Sequence, residues 1–135
     1  MRVLIDTNVI LDVWLAREPF LADSAGVLSA AEKKKITGII SPTTITTLHY
    51  LVKKEKGELK ARELLGNLLK ICSVGALRKI EISDALQSGI KDFEDAVIEA
   101  VALRSNADII ATRNVSDFRE SRVPAMEPNS IDLPN

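Results

Sequence analysis

Three consecutive apolar residues near the start of the chain, Val3-Leu4-Ile5, constrain its fold more than any other feature. Successive side chains of a strand point to opposite faces, so a run that is apolar at every position needs cover on both sides. Ile36–Ile40 and Ile109–Thr112 are further candidates for buried strands, with long stretches of helical spacing between them. Strands buried on both faces and alternating with helices imply an α/β fold with a mainly parallel sheet. The first run stops at Asp6, followed by Thr7 and Asn8, residue types that favour turns and helix N-caps. Open parallel sheets bind their ligands just beyond the carboxyl ends of strands. Asp6 therefore reads either as a cap for the next helix or as a functional acid.

Helices are expected over Asn8–Leu15, ending near Arg17-Glu18-Pro19, and over Phe20–Lys34, closed by Lys33, Lys34 and Lys35 at the negative end of its dipole. Ser41-Pro42 is a strong helix start, with Ser at the N-cap and Pro at the first helical position. That helix should run to about Lys54 and carry the only histidine, His49, and end before Gly57. Glu58–Ile71 reads as the next helix, and Leu77–Ile82 as a third strand. Ser83-Asp84 then caps a short helix to Ile90, and Asp92 opens a longer one to about Ser105. After the fourth strand, Arg113–Phe118 is a loop or one helical turn, and a short edge strand is expected at Ala125–Met126 with a final helical turn after it. The whole chain, 1–135, reads as one domain built on a four- or five-stranded sheet.

Composition narrows the function classes. A hydrophobic share of 46% argues against disorder, and the single Cys72 allows no internal disulfide and no zinc spacing, which points to the cytoplasm. No stretch is long and apolar enough for a membrane span. A formal net charge of −1 supplies no global field for nucleic acid, so any such contact must be local. His49 has no second His or Cys beside it, so it reads as a structural or surface histidine.

The helix opened by Asp92 breaks a local rule. Asp92, Asp95 and Glu99 fall on one face, and like charges at such spacings destabilise a helix. Acids in a first turn offset the positive dipole end, which explains Asp92 well, Asp95 less well and Glu99 hardly at all. Asn114 and Asp117 follow closely on the fourth strand. If that strand lies beside the first, Asp6, Asp95 and Asp117 approach one edge of the sheet. Carboxylates gathered there would repel one another unless a cation joined them, and an all-oxygen donor set suits Mg²⁺ or Mn²⁺ rather than zinc.

Ile-Asp-Thr-Asn-Val-Ile-Leu-Asp at the start, Asp-Phe-Glu-Asp-Ala later, and Ile-Ile-Ala-Thr-Arg-Asn-Val-Ser-Asp-Phe near the end make the chain similar to the PIN domain, a family that includes the VapC toxins of toxin–antitoxin modules. The resemblance covers almost the whole chain. It implies a three-layer α/β/α sandwich, a metal-dependent ribonuclease acting on single-stranded RNA, an antitoxin protein as partner, and a homodimer. Asp6, Asp95 and Asp117 match the family's acids, Thr112 and Asn114 its polar helpers, and Asp12 an acid often present in the first motif. One position departs: Thr47 stands where typical members carry a glutamate, and a hydroxyl adds no negative charge.

The implied mechanism has Asp6, Asp95 and Asp117 holding Mg²⁺ or Mn²⁺ against a phosphodiester, with Asn8, Thr112 and Asn114 in support. Arg113, Arg119 and Arg17 are the candidates for tracking an RNA backbone. Two rivals remain. Thr47 favours a PIN-fold module that binds RNA or protein without cutting. A phosphatase with Asp6 as nucleophile expects a second Asp two residues on, where this chain has Asn8.

Overall fold

A computed structural model of the chain describes residues 1–134. The elements run β1 (Arg2–Ile5), α1 (Thr7–Trp14), α2 (Leu21–Glu32), β2 (Thr37–Ile40), α3 (Pro42–Lys56), α4 (Glu58–Ile71), β3 (Cys72–Val74), α5 (Lys79–Leu86), α6 (Phe93–Arg104), β4 (Ile109–Ala111) and β5 (Ala125–Met126), with single 3-10 turns at Val115–Phe118 and Pro128–Ser130. All strand pairings are parallel, in the order β3-β2-β1-β4-β5. This is the α/β/α sandwich that the fully apolar runs imply.

The two-residue period of a strand builds both layers from one run. Val3 and Ile5 join the core beneath α1 to α4, with Val9, Val27, Leu48 and Leu68. Leu4, between them, joins the opposite core with Ala85 of α5 and Val97, Ile98 and Val101 of α6. Ser41 and Asp92 cap α3 and α6 as expected, each accepting a backbone N–H in the first turn. None of the helices is long and apolar enough to cross a membrane, among the described residues.

Two expectations fail in the middle of the chain. The third strand is Cys72–Val74, following α4 directly, and Leu77–Ile82 leads into helix α5 instead. Leu77–Ile82 carries three apolar side chains, Leu77, Ile80 and Ile82, yet Ile80 and Ile82 are exposed. A local bond decides the outcome: Glu81 accepts the Arg78 backbone N–H at 2.7 Å and the Arg78 guanidinium at 2.6 Å, which starts a helix there. Ser83 and Asp84 are then interior to α5 rather than its cap, and Asp84 accepts from Arg104 of α6 at 2.8 Å. The three lysines fall in the turn just past α2, with Lys34 at φ 59.

From β1 the chain steps outward to β2 and β3 on one side, then crosses to β4 and β5 on the other. The order reverses between β1 and β4, and the crevice above their carboxyl ends is where such sheets place a ligand.

Candidate active site

Asp6 leaves β1 at that reversal and caps the next helix, with its second oxygen tied to the end of β4. Its Oδ1 accepts the Thr7 N–H at 2.8 Å as the cap of α1, while Oδ2 accepts the Thr112 hydroxyl at 2.8 Å and the Asn8 amide at 3.3 Å. Thr112, one residue beyond β4, gives its proton to Asp6 and accepts from the Asn8 amide and the Asn114 backbone N–H at 3.1 Å. That saturates a hydroxyl, which has one proton and two lone pairs. Asn8 closes the lattice by accepting the Arg113 N–H at 3.1 Å. The ends of β1 and β4 are thus cross-tied around one buried carboxylate.

Asp95 and Asp117 line a cleft of about 600 Å³ on the α6 side of this edge, with Asn114, Arg119 and the Gly89–Asp92 loop. Asp92 places Asp95 by accepting its backbone N–H at 3.1 Å. Burial, and then the charges of Asp92, Asp6 and Asp117, push the Asp95 carboxyl up to about 7. Burial likewise raises Asp6, against the pull of its Thr112, Thr7 and Asn8 hydrogen bonds, and Asp117 adds to the rise. The three carboxyl groups therefore sit close enough for their charges to act on one another.

The donor set is all oxygen and holds surplus negative charge, which fits a hard cation such as Mg²⁺ or Mn²⁺. Among the described residues no three His, Cys, Asp or Glu side chains already form a metal-binding cluster. An ion here would have to draw in the carboxylates by side-chain movement or reach them through water.

The other candidates are held by partners of their own. Thr47 is half-buried and its hydroxyl donates to the Thr43 carbonyl at 3.1 Å inside α3. The neighbouring Thr44, buried, receives the Thr7 hydroxyl at 3.0 Å and is the α3 residue that meets the start of α1. Arg113 is not free to track a phosphate backbone: its guanidinium grips buried Asp12 at 2.7 and 3.0 Å and lies over the Phe20 ring at 3.9 Å. Asp12 also accepts the Ser24 hydroxyl, so its role is to fix Arg113 and α2.

Glu99 shares a helix with Asp95 but turns away from the cleft and is 1% exposed. It accepts the Ser88 hydroxyl and the Arg122 backbone N–H, each at 2.7 Å. Ser88 precedes the Gly89–Asp92 wall of the cleft, and Arg122 follows the Arg119–Glu120 wall. Its signal was in the sequence, as an acid that helix-dipole arguments left unexplained. Its partners, 11 and 23 residues away, were not.

A family profile described as PIN domain matches residues 2–116. Among curated proteins none matches the chain. Solved structures share the fold. The VapBC2 complex of Rickettsia felis bound to a promoter DNA fragment superposes with a TM-score of 0.74 at 18% identity, covering 94% of this chain and 98% of that one. A toxin–antitoxin complex from Klebsiella pneumoniae gives 0.72 at 22% identity, covering 96% and 99%. VapC20 of Mycobacterium tuberculosis, a toxin that cleaves the sarcin–ricin loop, gives 0.69 at 11%, covering 85% and 92%.

Proposed function

The chain belongs to the PIN-domain family, and on that premise we propose that it is a metal-dependent endoribonuclease that cleaves single-stranded RNA as the toxin of a toxin–antitoxin pair. The observation that carries this reading is an open cleft lined by Asp95 and Asp117 at the sheet edge where buried Asp6 emerges, a setting in which burial and the neighbouring acids push the Asp95 carboxyl up to about 7. Such a gathering of acids is costly unless a cation or a proton shares it. Asp6, Asp95 and Asp117 would hold the Mg²⁺ or Mn²⁺. The ion, when bound, supplies Lewis acidity toward a phosphodiester and its attacking water.

The chain's own residues do the positioning. Thr112 and Asn8 fix the Asp6 carboxylate in one orientation. Asn114 faces the cleft with its backbone held by Thr112. Arg119 and Lys91, at the cleft wall, replace Arg113 as the cations available to a phosphate. Toxin–antitoxin complexes among the structural relatives support an antitoxin as protein partner, and a homodimer working in the cytoplasm belongs to the same proposal.

Labelled single-stranded RNA incubated with the protein should be cut with Mn²⁺ and left whole with chelator. Asp95→Asn should abolish the cutting without changing far-UV circular dichroism. Equal cleavage by variant and wild type would defeat the reading. Folded, RNA-binding protein with no cleavage under any metal would favour the non-catalytic module, whose support is that Thr47 brings no acid.

A further inference from the structure

A second pocket, of about 400 Å³, opens on the same edge of the sheet, on the other side of Arg113. Pro19, Phe20 and Asp23 at the start of α2, Arg113 beyond β4, and Glu127 and Asn129 beyond β5 line it. Three consecutive residues divide the edge: Thr112 bonds Asp6, Arg113 lines this pocket, and Asn114 lines the acidic cleft. Two steps of extended chain span at most about 7 Å. A strand laid across this edge with a phosphodiester at the acids thus has the pocket beside it.

The lining chemistry selects the occupant. Phe20 is 39% exposed and pairs one face of its ring with the Arg113 guanidinium, a flat aromatic and cationic pair of the kind on which bases stack. The positive charge of Arg113 is already matched by Asp12, and the exposed carboxylates of Asp23 and Glu127 disfavour a phosphate here. What remains is a stacking surface bordered by hydrogen-bond acceptors. That suits a neutral planar ring with N–H donors on its edge.

We infer that this pocket is a nucleobase subsite next to the scissile bond, taking an amino-bearing base (guanine, adenine or cytosine) in preference to uracil. The inference rests on the RNA-cleaving reading for the position of the neighbouring phosphodiester. Each of the three preferred bases offers an amino group to the carboxylates. Uracil offers one N–H flanked by two carbonyls, which the carboxylates repel.

Fluorescence anisotropy tests it with wild-type protein in chelator, which prevents cutting, and labelled hexauridylate as the probe. Replacing one internal uridine by guanosine, adenosine or cytidine should tighten binding about tenfold for at least one of them, the scale of a hydrogen bond from a stacked base's amino group to a carboxylate. Phe20→Leu, which keeps apolar bulk without the π face, should erase the difference, and Phe20→Tyr should keep it. With Mn²⁺ added, the cut sites should lie beside the same base. Equal affinity for all the oligonucleotides, or a preference that survives Phe20→Leu, overturns the subsite while leaving the nuclease standing. A Phe20-dependent preference without metal-dependent cutting overturns the nuclease and keeps the pocket. No binding of any oligonucleotide overturns both.

Discussion

At the scale of single residues, Asp95 shows what it costs to gather acids at one edge of the sheet. Its carboxyl titrates near 7 in the fold and near 3.8 when unfolded, chiefly because burial and the neighbouring acids oppose its charge. The folded state therefore binds the extra proton between those values. Stability from this group is full below about pH 4 and is lost as pH rises through 7. Metal-free Asp95→Asn should accordingly melt higher than wild type at pH 8, with the gap closing as pH falls toward 4; an equal gap at both ends would place the strain elsewhere. Because an ion must displace that proton, Mn²⁺ should raise the wild-type melting temperature more at pH 8 than at pH 5.5, and Asp95→Asn should blunt the rise. Thr112 gives a second residue-level test. Thr112→Val keeps the shape but strips the partner from Asp6 and from the Asn114 N–H, and should cost about 1–3 kcal/mol in urea denaturation. Thr112→Ser keeps the hydroxyl and should cost far less.

Buried acids join elements that the backbone alone leaves loose. Glu99 of α6 holds the α5–α6 loop through Ser88 and the segment after the Val115–Phe118 turn through Arg122. Glu99→Leu leaves both donors unpaired, at about 1–3 kcal/mol each. Amide exchange at Arg122 should then quicken, while Glu99→Gln, which keeps one acceptor, should do less harm. Asp12 does the same on the other layer, joining α1 to α2 through Ser24 and to the end of β4 through Arg113. Asp12→Ala strands the guanidinium over Phe20 and should lower stability by about 3–5 kcal/mol, read as a shift in urea midpoint.

Across the whole molecule, the sheet and its α6 layer close on each other with little room. A Cβ on Gly75, just past β3, would meet Val101 Cγ1 at 2.5 Å and Ser105 Oγ at 2.9 Å. Gly75→Ala should therefore destabilise by about 1–3 kcal/mol through overpacking, whereas Ala at Gly66, with nothing within 4 Å, should not. Gly38 plays a similar part inside the sheet, where a Cβ would meet Cys72 Sγ at 2.8 Å across the β2–β3 pair. These contacts seat the edge strand.

What the sequence alone determined is whatever a few adjacent residues can settle. Val3-Leu4-Ile5 and Ile109-Ile110-Ala111 demand cover on both faces, so the layered parallel sheet was legible, as were the caps at Ser41 and Asp92 and the acids at the strand ends. The motif order also made the PIN resemblance readable. Tertiary structure decided everything that depends on partners far along the chain. A three-residue edge strand at Cys72–Val74 carries too little pattern to outbid the apolar side chains of Leu77–Ile82, and close packing at Gly38 and Gly75 seats it instead. Arg113 looked like a free cation until Asp12, 101 residues away, claimed it. Glu99 was an unexplained acid on the Asp95 helix until Ser88 and Arg122 took both its oxygens. Spacing along a helix says which side chains share a face, but a buried charge goes where its desolvation is matched by a partner, and the packed fold alone supplies that partner.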